Sequence, residues 1–159
     1  MENSLSPSAR RVQDALKSAG YTNQVIEHNQ TTRSAKEAAA AIGCTVAQIA
    51  KSLIFKTSQT HQPILVIASG PNRVNEDRLG ELAGEPVEKA DADFALQTTG
   101  FAIGGIPPLG HRSAMRTFID EDLTSWDQIW AAAGTPNAVF PLTPQELFRM
   151  TGGIVTSIK

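Results

Sequence analysis

Lys51-Ser-Leu-Ile-Phe-Lys56 and Pro63-Ile-Leu-Val-Ile-Ala68, separated by the polar run Thr57 to Gln62, read as two strands joined by a hairpin turn. Branched and aromatic residues dominate the first segment, and the second is apolar enough to be buried. Side chains alternate along a strand, so Lys51, Leu53 and Phe55 share one face. Leu53 and Phe55 are natural core residues, which points the Lys51 ammonium toward the core as well. Burying an unpaired charge is costly. Two readings follow: Lys51 sits at the strand mouth and snorkels to water, or it projects into a cleft lined by that face. Lys56 reads as an ordinary exposed charge.

Outward from the hairpin, the chain alternates short helices and short strands. Ser6-Pro7 opens a helix, with Ser as N-cap and Pro at the first position. Val12, Ala15, Leu16 and Ala19 form its apolar stripe, and Gly20 stops it. Gln24 to His28 is a short extended piece. Ser34-Ala-Lys-Glu37 is a capping box before an Ala-rich helix that ends at Gly43. Thr45 begins a further helical turn. Cys44 between them reads as a small buried hydrophobe. Beyond the hairpin, Ser69-Gly-Pro-Asn72 breaks the chain. Asn75 caps a helix over Glu76 to Leu82, and Val87 is a brief strand residue. Asp91 caps a second short helix that runs to Gly100. Met115 to Asp120 is a strand, while Asp127 to Ala133 is ambiguous between helix and strand. Gly134-Thr-Pro-Asn137 is a turn and Ala138 to Leu142 a strand. Thr143, Pro144 and Glu146 start a helix that Gly152-Gly153 ends, and Ile154 to Ile158 closes the sheet. This mixture argues for a single α/β (mixed α+β) domain, a mixed sheet flanked by helices, over residues 1–159.

Between the last two groups lies Gly100-Phe-Ala-Ile-Gly-Gly-Ile-Pro-Pro-Leu-Gly-His111, which carries four of the twelve glycines and two of the nine prolines. Pro107 and Pro108 lack backbone donors, while Gly104 and Gly105 allow the backbone to approach a ligand with no side chain in the way. Their N–H groups can point at an oxygen, as in an anion nest. Phe101, Ile103, Ile106 and Leu109 are apolar, which predicts a packed loop. A tight structural turn and a ligand loop both fit.

The 159 residues carry 41% hydrophobic and 19% charged residues and a net charge of −2. That suits one soluble domain with an ordinary core. Without a basic run, any nucleic-acid contact should be small and local. One cysteine excludes an internal disulfide framework and a Cys-based metal site. No metal-ligand spacing appears among the acidic residues, and no dinucleotide or phosphate-loop glycine fingerprint is present, so no cofactor is expected. The N-terminus lacks the pattern of a secretory leader, and no apolar run reaches transmembrane length; a cytoplasmic location and no membrane partner are the expectation. Three scattered histidines and the lack of a Gly-x-Ser-x-Gly elbow leave no Ser-His-Asp set. Cys44 has no evident activating partner.

Several stretches together resemble the YbaK/prolyl-tRNA synthetase-associated editing domain family. They are Thr31-x-Arg33 before the Ala-rich helix, Ile49-Ala-Lys51-Ser-Leu-Ile-Phe55, Ser69-Gly70 with Arg73-Val-Asn75, and Thr99 through His111. Ile119-Asp120, Leu123 and Trp130-Ala-Ala-Ala-Gly-Thr-Pro136 complete the order. The resemblance implies a strongly curved, partly barrel-like mixed sheet surrounded by short helices. It implies trans-editing: hydrolysis of the ester of a mischarged aminoacyl-tRNA at its acceptor end. It places the family's catalytic lysine on Lys51 and its Gly-x-x-x-Pro loop on Gly104 to Pro108. Ser52 stands where some relatives carry Asn.

On that resemblance, Lys51 supplies positive charge to a terminal phosphate or to the developing oxyanion. The amides around Gly104, Gly105 and Ile106 hold the aminoacyl carbonyl, and Pro107 and Pro108 keep their loop rigid. The substrate itself or its terminal ribose, or a positioned water, supplies the attacking group. His111 closes the loop and either contacts substrate or packs. Thr31, Arg33, Ser52 and Asn75 are further candidates for the substrate pocket, with helix capping the competing role for Asn75 and a surface ion pair for Arg33. Phe55 and Phe101 either shape the pocket or belong to the core. Alanine, cysteine, serine and threonine on tRNA are all substrates consistent with the resemblance. A non-catalytic module binding an aminoacyl-tRNA end or a nucleotide, a hydrolase of small esters and a synthetase-docking partner are the rival readings. Oligomeric state is not legible.

Overall fold

The computed structural model describes residues 5–28 and 34–159. In chain order the elements are α1 (Pro7–Ser18), β1 (Ile26–Glu27), α2 (Ala35–Ile42), β2 (Ile49–Thr57), β3 (Pro63–Ser69), α3 (Glu76–Ala83), β4 (Val87–Lys89) and α4 (Ala92–Thr99). They continue with β5 (Arg116–Asp120), β6 (Ile129–Ala132), β7 (Ala138–Leu142), α5 (Pro144–Thr151) and β8 (Ile154–Thr156). The strands form one mixed sheet in the order β1-β7-β6-β2-β3-β5-β8, with β4 joined to β2. Among the described residues the sheet does not close into a barrel.

Local chemistry explains most boundaries. The α2 capping box forms, with the Glu37 amide donating to Ser34 Oγ at 3.1 Å. In α5 the Glu146 amide donates to Thr143 Oγ1 and the Thr143 amide to Glu146 Oε1. Gly43, Gly84, Gly100 and Gly152 end their helices in the left-handed conformation. One cap differs from expectation. Ser6 precedes α1, but its side chain makes no cap; its hydroxyl and amide both donate to the Glu27 carboxylate, at 2.6 and 2.8 Å. The bond ties the helix start to β1 across the fold. The ambiguous segment resolves as β6, because Ile49 and Ala50 of β2 pair it in parallel on one side and β7 pairs it antiparallel on the other. Cys44 is half-buried rather than buried.

The sheet separates two apolar clusters. One gathers Ala9, Val12 and Leu16 of α1 with Ala50, Ile54, Leu65, Ile67, Phe101, Ile106 and Phe140. The other gathers Phe55, Ile64, Val66, Ala68, Leu79 and Phe118. Alternation along β2 therefore puts Ala50, Ser52 and Ile54 toward the first cluster and Lys51, Leu53 and Phe55 toward the second.

β2 carries a fork. Along Ala50 to Lys56 it pairs with β3. On its other edge β6 pairs only at Ile49 and Ala50, and β4 only from Phe55 to Thr57. Among the described residues, Lys51, Ser52, Leu53 and Ile54 have no strand in register beside them there. The Thr57 amide turns to the hairpin and the Ile54 carbonyl accepts from Ala90 on the opposite edge. Alternation then turns the N–H and C=O of Ser52 into the gap.

The loop from residue 100 to 111 lies over this gap, held by specific bonds. Arg11 donates to the Gly100 carbonyl at 2.6 Å and stacks on the Phe101 ring. His111 Nε2 bonds the Pro107 carbonyl at 2.6 Å. The Gly134 amide donates to the Gly105 carbonyl at 2.8 Å. A Cβ on Gly105 would lie 2.8 Å from the Gly134 carbonyl carbon and oxygen, while Gly134 is itself pressed against Ser8 of α1. Gly105→Ala should therefore destabilise the fold by about 1–3 kcal/mol, which urea or guanidinium unfolding will read. An unchanged midpoint would mean that this backbone contact is not tight.

Candidate active site

Two cavities open along the gap in β2 and share Lys51, Ser52, Leu53, Ile103 and Ile106 in their walls. The smaller, of about 240 Å³, is mainly apolar. Ala35, Ala38, Ile49, Ala50, Trp130 and Val139 are among its lining residues, and Gly104 contributes backbone. The larger, of about 450 Å³, adds Phe55, Asn72, Arg73, Val74, Glu76 and Lys89.

Lys51 stands in the shared wall. Its Nζ donates to the Gly70 carbonyl at 3.0 Å. That carbonyl belongs to a turn built without slack: a Cβ on Gly70 would come within 2.3 Å of the Val46 carbonyl oxygen. Asp120, fully buried at the end of β5, holds the turn from behind. Its carboxylate accepts from the Ser69 amide at 3.0 Å and from Asn72 Nδ2 at 2.7 Å. Its other oxygen accepts from the Asp122 amide at 2.9 Å. Ser69 Oγ completes the anchor on the Ala47 carbonyl. A charge-assisted network of this kind is strong because each partner is directed. Burial, then the nearby Arg73 and Lys89 charges, hold the Lys51 ammonium below the ordinary lysine range, and Asp120 opposes them.

The loop amides divide into two groups. The Gly105 N–H donates to the Ala102 carbonyl at 3.0 Å, so it closes a turn. Gly105 is buried and lines neither cavity. The amides of Gly104 and Ile106 have no acceptor among the described residues, and both residues line the smaller cavity. Gly104 has φ +95°, which places a side chain in strain and favours glycine. Ser52 Oγ is buried in the shared wall without a partner among the described residues. An unbonded buried hydroxyl is unusual and costs stability.

The remaining candidates lie elsewhere. Asn75 accepts from the Arg78 amide and caps α3, lining neither cavity. Pro107 and Pro108 are buried and line neither cavity. His111 is a staple on Pro107, and burial pushes its imidazole below the usual range, outweighing the opposing effect of the Pro107 carbonyl. Phe101 is core, while Phe55 is buried but borders the larger cavity. Thr31 and Arg33 lie outside the described residues. Cys44 lines neither cavity, and burial raises its thiol pKa.

Ile103 corrects an expectation. Phe101, Ile106 and Leu109 are buried as a packed loop requires, but Ile103 is 55% exposed and borders both cavities. Sequence reading also missed Arg73 and Lys89 as cavity residues. Their charge was visible; their convergence on Lys51 needs the turn after β3 and the register of β4.

The chain is similar to known proteins in sequence and in fold. The sequence model of the aminoacyl-tRNA editing domain matches residues 29–150. A Bacillus subtilis protein named "Uncharacterized protein YwhH" is 30% identical over 125 residues, covering 79% of each chain. An Enterococcus faecalis protein named "Putative Cys-tRNA(Pro)/Cys-tRNA(Cys) deacylase EbsC" is 25% identical over 121 residues, 76% of this chain and 73% of that one. A crystal structure described as "a putative trans-editing enzyme for prolyl tRNA synthetase" superposes with a TM-score of 0.94 at 45% identity, covering 98% of this chain and 99% of that one.

His111 offers a pH test. Its folded-state pKa is lowered, so the folded state resists protonation more than the unfolded chain does. Stability should fall as pH drops through and below the ordinary imidazole value of 6.5. His111→Gln keeps a donor for Pro107 and should flatten the profile in that window, as followed by thermal unfolding between pH 8 and 5. A variant profile that parallels the wild type would remove His111 as the cause.

Proposed function

We propose that this chain, which belongs to the aminoacyl-tRNA editing domain family, hydrolyses the ester linking a small amino acid to the 3′ end of a mischarged tRNA. The observation that carries the reading is Lys51, restrained in the wall between a small apolar cavity and a larger cationic one. An aminoacyl ester joins the α-carboxyl of an amino acid, which carries the side chain, to the ribose of a nucleotide, and the two cavities differ in the same sense.

The bond is an activated ester, so modest assistance suffices. A water oxygen attacks the carbonyl carbon, and the proton it gives up passes to the departing ribose oxygen. Negative charge then develops on the carbonyl oxygen, the C–O bond to the ribose breaks, and the ribose oxygen leaves as an alcohol. The uncommitted amides of Gly104 and Ile106 are donors for that oxyanion. Lys51 adds positive charge at the same wall. Fixed donors of this kind act where charge appears, and losing one typically costs about a hundredfold or more. Gly105 serves the loop's shape rather than the oxygen, since its N–H is already used.

The smaller cavity favours alanine, cysteine, serine or threonine. A single methylene distinguishes substrates by only about 1–3 kcal/mol in a hydrophobic pocket. Exclusion by the walls is therefore the natural device, and the unpartnered Ser52 Oγ is a donor or acceptor for a polar side chain or for the α-amine.

Single-turnover deacylation of tRNAs charged with each of these amino acids tests the reading. Wild-type protein should release one or two of them, and Lys51→Ala should be slower by about a hundredfold or more while unfolding at a similar midpoint. Release by folded Lys51→Ala at the wild-type rate would sink the role of Lys51. No release from any substrate by wild type would favour a binding module.

A further inference from the structure

Resting on the deacylase reading, we propose that the larger cavity is a phosphodiester groove. In it Arg73 and Lys89, with Lys51 at the inner end, hold the phosphates that link the last nucleotides of an RNA 3′ strand. Several cations elsewhere in the fold are already occupied. Lys56 pairs with Glu88 and Lys159 with Asp122. Arg116 donates to the carbonyls of Leu82 and Ala83, Arg78 to that of Ser157, and Arg11 to that of Gly100. Arg73 and Lys89 are exposed and have neither an ion pair nor a side-chain hydrogen bond among the described residues. Yet both line one cavity.

They arrive there from separate elements. Arg73 follows the Ser69–Asn72 turn that also presents the Gly70 carbonyl to Lys51. Lys89 ends β4, opposite Phe55 in the register with β2. Among the described residues Glu76 is the one carboxylate in the lining, so three cations face a single acid there. Burial first, and then the Arg73 and Lys89 charges, lower the Lys51 pKa. Crowded like charges destabilise one another until an anion enters. In a chain of net charge −2, this local cluster is a small electrostatic footprint of the kind that neutralises one or two phosphates.

The shared wall then gives the strand a direction. A 3′ strand lying past Lys89 and Arg73 reaches Lys51, Ser52 and Leu53 with its terminal ribose. Its ester then enters the apolar cavity under Gly104. Arg73 and Lys89 are binding residues in this account and take no part in bond breaking.

The test is binding of an uncharged RNA minihelix with a single-stranded CCA end, followed by fluorescence anisotropy over a range of salt concentrations. Each phosphate contact to a single strand contributes about 0.7 to the slope of log affinity against log salt. The double variant Arg73→Ala/Lys89→Ala should lower the slope by about 1.4, while Arg73→Lys/Lys89→Arg should keep it. With charged tRNA, the alanine pair should lose kcat/KM through a raised KM. An unchanged slope in the alanine pair would overturn the proposal. So would loss of binding to adenosine 5′-monophosphate with the minihelix slope intact, which would make the groove a site for free nucleotides. The minihelix carries no ester, so this outcome is independent of turnover. Binding through Arg73 and Lys89 without any deacylation would leave the groove standing and sink the deacylase reading; deacylation with an unchanged slope would do the reverse.

Discussion

The site depends on an interruption in one strand. β2 is long enough to take two neighbours on one edge, and β6 and β4 take its two ends. The four residues between them, Lys51 to Ile54, keep a strand conformation because β3 pairs them on the other side. Backbone groups left facing a gap must find partners or stay hydrated. A closed sheet would have sealed this wall. The fork leaves a rigid strand open to ligand, and the glycine loop covers it from the first apolar cluster.

Rigidity comes from behind the gap. Asp120 has no contact with either cavity, but it fixes the Ser69–Asn72 turn through two donors, and that turn fixes the Gly70 carbonyl. Among the described residues Lys51 is thereby restrained without an ion pair that would neutralise it. A direct carboxylate partner would have raised its proton affinity and occupied its charge. The arrangement leaves the ammonium oriented and available. The loop is restrained by the same logic: Arg11, His111 and Gly134 bind its carbonyls, so its free amides remain for something else.

Local signals were legible where the physics is local. Ser34 with Glu37, Thr143 with Glu146, and the glycines after α2, α3, α4 and α5 marked helix ends because caps act within a few residues. Ser6 carried the same signal and was drawn away by Glu27, twenty-one positions on. The segment from 127 to 133 could not be assigned by period because β6 is four residues long, and its state is set by β2 and β7. Ile103 sits among apolar residues that pack, and nothing in its neighbours distinguishes the one that stays exposed.

The sequence by itself determined most of the strands and helices, though not β6, together with the face of β2 that carries Lys51 and a glycine loop with special backbone needs. Its motifs, taken in order, also pointed to the editing-domain family. These follow from alternation, capping and steric freedom, all short-range. Only the tertiary structure decided that Gly105 packs while Gly104 lines a cavity, and that Asp120 anchors the turn holding Lys51. It alone brought Arg73 and Lys89 to one groove. Those outcomes depend on which strands pair and in what register, and pairing joins residues that no short window of sequence contains.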